Sequence, residues 1–167
     1  DNRLTEMLLK NFDNLTDIDL SNNRLSGDFS LTYQEQAVNI DLSGNFISSL
    51  TTVDMPDLQN FNISDNNLTL QTLPLMPQVA NYTYAPQKEL QIIAFAPAIN
   101  LTAQNRIIDG ASTVFTWKKT DGTPLVENVD FSGKDGAFKF IDETLGQVYC
   151  EMTHAAFPAF NGENVFR

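Results

Sequence analysis

Leu15-x-x-Ile18-x-Leu20-x-x-Asn23-x-Leu25 recurs 22 residues later as Ala37-x-x-Ile40-x-Leu42-x-x-Asn45-x-Ile47, and after another 21 as Leu58-x-x-Phe61-x-Ile63-x-x-Asn66-x-Leu68. One more step of 21 reaches Val79-x-x-Tyr82-x-Tyr84-x-x-Gln87, with the apolar spacing kept and Gln where Asn is expected. A fixed period changes the reading of every segment inside it, because each copy is then one coil of a stack. The alternation around Ile18/Leu20, Ile40/Leu42 and Phe61/Ile63 predicts a short strand per coil, apolar side chains inward and their neighbours outward. The Asn that follows stands where the chain leaves the strand, and its amide can serve backbone groups that the turn leaves unpaired. Stacking then predicts a ladder of Asn23, Asn45 and Asn66, closed by a degenerate last rung at Gln87. One coil cannot bury its apolar face alone, so about three are the minimum for stability.

The three copies carry the leucine-rich-repeat signature, and residues 4–87 resemble the leucine-rich-repeat domains of bacterial cell-surface proteins. Upstream, Leu4, Leu8, Leu9 and Phe12 fall at helical spacing. That segment is expected to be the convex-side helix of a preceding coil, so that the chain begins inside a longer protein.

The 10 Lys and Arg against 21 Asp and Glu give a formal charge of -11, which argues against phosphate-neutralising surfaces and against attraction to anionic membranes. A hydrophobic fraction of 42% is enough for a real core. No run of apolar residues is long enough to span a bilayer, and Asp1 to Thr5 do not read as the start of a signal peptide. A single cysteine, Cys150, excludes a scaffold stapled by internal disulfides.

After Tyr84-Ala85-Pro86-Gln87 the period disappears, which places a boundary at residues 84–88. Strands are expected at Leu90–Ala96, Ile99–Ala103, Thr113–Lys118, Leu125–Asp130, Ala137–Ile141, Gln147–Thr153 and Asn164–Arg167. Turns are expected at Asp121-Gly122, Gly133-Lys134-Asp135-Gly136 and Asn161-Gly162. The stretch Phe115-Thr116-Trp117-Lys118-Lys119 and its following turn resembles the third strand of an immunoglobulin-like (Ig-like) domain, and Asp142-x-x-x-Gly146-x-Val148-Tyr149-Cys150 resembles the sixth. In that family a buried Trp packs on a disulfide. The resemblance implies that Trp117 and Cys150 take two of those places, with Leu101 as the apolar substitute for the missing cysteine. Val148 departs from the pattern, since it stands where a tyrosine corner would be. The expected fold class is therefore α+β/β: a short leucine-rich-repeat solenoid over residues 1–87, N-terminally truncated, followed by an Ig-like antiparallel β-sandwich over residues 88–167. The whole is similar to internalin-type bacterial surface proteins. Animal leucine-rich-repeat/Ig receptors are the competing resemblance, but they usually carry a cysteine-stapled cap that one Cys cannot build.

No catalytic residue, metal site or cofactor is expected. Cys150 and His154, four residues apart on one strand, would lie about 13 Å apart, too far for a thiolate–imidazole pair. The stretch Asp130-x-Ser132-x-Lys134-Asp135-Gly136 is superficially like a calcium loop, but Lys134 falls at a ligand position. Nothing singles out two carboxylates in opposite environments, as glycosidase chemistry requires.

Outward strand positions are expected to form two columns on the concave face: Asp17, Asn39, Asn60 and Asn81 beside Asp19, Asp41, Asn62 and Thr83, with Ser21, Ser43 and Ser64 on the rim. This surface is polar, acidic and rich in hydrogen-bonding groups, and in repeat proteins that face is the usual docking surface. It lacks aromatic or Arg anchors, and its bland reading is a solvated sheet face. The five Asn-x-Ser/Thr sequons, at Asn14, Asn62, Asn67, Asn81 and Asn100, are taken as incidental products of Asn- and Thr-rich repeats. Phe157 and Phe160 are expected to fold back as a cap on the sandwich core rather than stand exposed. The expected role is non-enzymatic protein recognition or adhesion outside the cell, by a monomer with a protein partner. The alternatives are a structural stalk segment, or a carbohydrate-binding accessory region of a larger secreted hydrolase.

Overall fold

The structure is a computed structural model that describes residues 3–9, 14–32, 34–90, 97–142 and 144–167. The chain divides into two compact units, residues 1–88 and 89–167.

In the first unit, β1 (Asp17–Asp19), β3 (Asn39–Asp41), β5 (Asn60–Asn62) and β6 (Asn81–Thr83) form a parallel sheet in the order β1-β3-β5-β6. The register is unbroken: Ile18, Ile40, Phe61 and Tyr82 stand in one row, flanked by the Asp17 row and the Asp19 row. Between coils, Leu20 donates to Asp41 O, Leu42 to Asn62 O and Ile63 to Thr83 O, each at 2.8 Å. Period-two burial puts Ile18 and Leu20, Ile40 and Leu42, and Phe61 and Ile63 in the core. The Phe61 ring stacks on Tyr82 at 5.7 Å, so the last rung continues the apolar row.

The asparagine ladder forms and has a fourth member. Asn45 Nδ2 donates to Leu20 O and Leu42 O at 2.9 Å and to Ser43 O at 3.2 Å, while its Oδ1 accepts Leu25 N–H at 3.1 Å. Asn66 repeats this pattern one coil on. Gln87 does so again with its longer arm, donating to Ile63 O and Tyr84 O and accepting from Leu68 N–H. Each asparagine rung is preceded by a residue of positive φ: Asn22 (53°), Gly44 (67°) and Asp65 (53°). At Gly44 a Cβ would meet Asn22 Oδ1 at 2.7 Å, a side-chain end that would have to shift, and glycine adopts the positive φ there without strain.

The α component of the expected class is corrected. Among the described residues there is no α-helix, only two 3-10 turns at Thr102–Gln104 and Gly162–Asn164. Residues 4–9 of the expected helix are non-helical, and Phe12 lies outside the described residues. Leu4 N–H instead donates to Asn23 Oδ1 at 3.2 Å and Leu4 O accepts Arg24 N–H at 2.8 Å, an extended pairing that competes with helix formation. On the far side of the coils, β2 (Ser26–Thr32) pairs in parallel with β4 (Phe46–Val53). Ser-Gly-Asp-Phe-Ser-Leu-Thr alternates with period two and buries Phe29 and Leu31, so this side of these coils is strand too.

In the second unit, β7 (Ala98–Asn100), β11 (Phe131–Lys134) and β12 (Ala137–Phe140) form an antiparallel sheet in the order β11-β12-β7. A second antiparallel pair joins β10 (Val114–Lys119) to β13 (Val148–Thr153), and Phe166 bridges to Met152 on the β13 edge. A small hairpin joins β8 (Ile107–Ile108) to β9 (Ala111–Ser112), with Asp109 and Gly110 both at positive φ, as a two-residue turn requires. Trp117 on β10 meets Phe138 and Phe140 on β12 at 5.5 and 4.9 Å, so the two sheets face each other through aromatic rings.

Several expected boundaries shift. Leu90–Ala96 falls mostly on residues 91–96, outside the described residues. Leu125–Asp130 is not a strand: Asp130 Oδ2 accepts Val126 N–H at 2.7 Å and folds the segment into turns. Asn164–Arg167 reduces to the bridge at Phe166. The expected four-residue turn at Gly133 is a two-residue turn at Asp135-Gly136, because β11 runs on to Lys134.

Candidate binding face

The coil sheet brings the eight proposed face residues together: Asp17, Asn39, Asn60 and Asn81 in one row, Asp19, Asp41, Asn62 and Thr83 in the other, lining one shallow concavity. The rows are more than adjacent. Asn81 Nδ2 donates to Asn60 Oδ1 at 2.6 Å, Asn60 Nδ2 to Asn39 Oδ1 at 2.5 Å, and Asn39 Nδ2 to Asp17 Oδ1 at 2.6 Å. Identical side chains one coil apart can form such a chain because the strand spacing matches amide reach.

In the second row Asp19, Asp41 and Asn62 are each held by the serine two residues on. Asp41 Oδ1 accepts Ser43 N–H at 2.8 Å and its hydroxyl at 2.6 Å, and Asn62 Oδ1 accepts Ser64 N–H at 3.2 Å and its hydroxyl at 2.8 Å. Asp19 accepts Ser21 N–H at 3.0 Å. The rim serines thus position the face instead of facing a partner freely. Acidic groups gather in the first two coils and neutral amides in the last two.

The Thr16 hydroxyl and then the Asn39 amide hold the Asp17 carboxyl below the ordinary Asp range, and the Ser21 hydroxyl and N–H do the same for Asp19. A carboxyl more acidic in the folded chain than in the unfolded one contributes stability above its unfolded value, near about pH 4, and loses it as pH falls through the folded value. Carboxyl carbon shifts followed by NMR should therefore give midpoints for Asp17 and Asp19 below those of an unstructured peptide. Midpoints at or above the peptide's would contradict these hydrogen bonds.

The structural residues Asn23, Asn45, Asn66, Trp117 and Cys150 are all buried. Trp117 and Cys150 are direct cross-strand partners on β10 and β13, and Leu101 is buried beside a cavity that both of them line. Burial pushes the Cys150 thiol up to about 12, which leaves it protonated at neutral pH. His154 is tied to Ala111 O at 3.1 Å and to Ala156 N–H at 3.0 Å, a structural use of both ring nitrogens. Phe157 and Phe160 are buried, with Phe160 against Phe166 at 5.8 Å. The stretch Asp130–Gly136 belongs to the β11–β12 hairpin, with Asp130 and Asp135 at opposite ends of β11. Among the sequons, Asn62 and Asn81 are committed to the face rows, while Asn100 accepts the Thr102 hydroxyl at 2.7 Å.

Sequence reasoning missed the continuous amide row, the role of Leu4 and the far-side strands. The positions of the row, though not its bonding, were legible in the spacing of Asn39, Asn60 and Asn81, and Leu4 in the repetition of Asn2-Arg3-Leu4 as Asn23-Arg24-Leu25.

Residues 14–33 match the Leucine Rich Repeat family model. No curated protein and no solved structure gives a significant match. The matched segment spans β1, the ladder turn and β2, and together with the stacked coils it supports a leucine-rich-repeat protein.

Proposed function

We propose that this chain is a non-enzymatic recognition module of a secreted or surface-anchored bacterial protein of internalin-type architecture. The coils offer the docking face, and an Ig-like sandwich follows them in the chain. Leucine-rich repeats generally mediate protein–protein contact, and the observation that carries the reading is the pair of polar rows in unbroken register across four strands. Pre-ordered side chains lose less entropy on binding than free ones, so a face already bonded into rows suits a partner. Its acidic first two coils favour a partner that brings cationic groups there.

What supports the Ig-like reading is strand order. Counting β7, β10, β11, β12 and β13 as the second to sixth strands gives sheets of fourth-fifth-second and third-sixth, with Phe166 in the place of a seventh. The Trp117–Cys150 pairing fits the same scheme.

Changing Asp19 and Asp41 together to Lys should abolish capture of a cell-surface partner by the intact protein while its circular dichroism spectrum keeps the wild-type fold, the melting temperature falling only by what the lost Ser21 and Ser43 hydrogen bonds contribute. Equal capture by wild type and the double variant would instead favour a stalk. The carbohydrate-binding reading lacks its usual platform, because the single Trp is buried.

A further inference from the structure

Beyond β13 the chain folds back through residues 154–160, which bury Phe157 and Phe160 in the second unit. Phe157 N–H donates to His154 O at 2.9 Å, and Phe160 N–H to Phe157 O at 3.2 Å. His154, the one histidine of the sequence, opens this run and is only 3% exposed.

The partners of the ring fix its protonation state. A backbone carbonyl can only accept and a backbone N–H can only donate. Nε2, 3.1 Å from Ala111 O, therefore carries the hydrogen, and Nδ1, which accepts Ala156 N–H at 3.0 Å, is bare. The two bonds together require the neutral imidazole. A second proton has only Nδ1 to occupy, and there it would face Ala156 N–H, donor against donor.

No carboxylate stands ready to receive an imidazolium. The β8–β9 hairpin, whose Ala111 carbonyl holds the ring, carries Asp109 at its tip, and Arg106 precedes it. The Arg106 guanidinium lies 5.3 Å from the Phe157 ring centroid, and that ring meets His154 at 6.0 Å, so a cation is already close by. Residues 155–160 contain no titratable side chain, and Glu163 is exposed on the 3-10 turn beyond them. On β13, Glu151 is bonded to Lys118 at 2.6 Å and to Arg167 at 3.5 Å, and the Cys150 thiol is protonated at neutral pH. Among the described residues no carboxylate lies within ion-pair distance of the imidazole.

We propose that His154 is a pH-dependent latch on residues 154–160, closed while the imidazole is neutral and released when Nδ1 takes a proton, which uncovers Phe157 and Phe160. The closed turn binds the deprotonated ring, so its support is present at neutral pH and is lost as pH falls through the imidazole range. Release offers an apolar surface in acid that is withdrawn at neutral pH.

The single histidine gives one set of imidazole signals in the full chain, so its tautomer and titration are read without assignment. At about pH 8 those signals should be of the Nε2–H form. Between about pH 8 and about pH 5, hydrogen-exchange protection factors of the Ala156 and Phe157 amides should fall at least about tenfold in step with the ring, the factor expected of one ordinary hydrogen bond. Binding of the dye ANS should rise over the same interval. His154→Asn places an oxygen that can accept the same Ala156 N–H, as in an Asx turn, and takes no proton there, so its protection factors should stay flat. Should that variant not fold, coincidence of ring titration, amide protection and dye binding in the unaltered chain decides alone. An Nδ1–H tautomer, a ring that does not titrate in this interval, or protection and dye binding that stay level while it does would each overturn the proposal. So would an equal acid loss of protection in a folded His154→Asn, which would place the cause on carboxylates.

Discussion

Asn45→Ala should lower the unfolding free energy by about 4 kcal/mol or more, measured by urea denaturation followed by far-UV circular dichroism. Four hydrogen bonds end on this one buried amide, and truncation leaves Leu25 N–H and the carbonyls of Leu20, Leu42 and Ser43 to find other partners. Leaving a buried polar group unpaired costs about 1–3 kcal/mol, and these groups lie where water reaches poorly. Asn23→Ala is the internal control. Its amide bonds only within its own coil, to Leu20 O and Ser21 O, and accepts from Leu4, so its loss should cost roughly half as much. If both substitutions cost the same, or if Asn45→Ala costs under about 1 kcal/mol, the ladder does not bind the coils together.

In the second unit the corresponding lever is aromatic. Phe138→Ala should cost about 3–5 kcal/mol, because the ring is buried and meets Phe115 at 5.3 Å, Trp117 at 5.5 Å and Phe131 at 5.9 Å. It joins the facing sheets, so truncation removes apolar contact from both and leaves a hollow that neighbours close only in part. The single Trp reports the change: its emission should shift to longer wavelength and its unfolding midpoint fall. An unchanged midpoint would mean that the rings touch without holding the sheets.

The coil stack was readable because its determinants are periodic. A side chain needed once per coil, such as the ladder amide, appears three times at fixed spacing and stands out from chance. Even Gln87 obeys the chemistry, since one extra methylene lets the same amide reach the same kinds of partner. The far side was harder. Leu4, Leu8 and Leu9 fit helical spacing, yet Leu4 is drawn into extended pairing with the first coil, and tertiary hydrogen bonds override so short a pattern. Ser26–Thr32 and Phe46–Val53 are rich in Ser, Thr and β-branched or aromatic residues, a strand composition that the repeat template hid. In the second unit, Asp109-Gly110 is a strong hairpin signal that was simply overlooked, whereas the turns over Val126–Asp130 depend on an Asp130 side-chain bond that alternation cannot reveal. The polar face was legible as positions but not as a bonded row, because sequence gives spacing and not the direction in which an amide donates.

That direction gives the row an arrow. Every link from Asn81 to Asp17 runs the same way, so the amide dipoles add head to tail and terminate on a carboxylate. Although the coils repeat, the surface is not interchangeable end for end: an extended partner laid along it would meet one pattern of donors and acceptors in one orientation and a different one when reversed. Polarity of this kind lets a repetitive scaffold distinguish a partner's head from its tail.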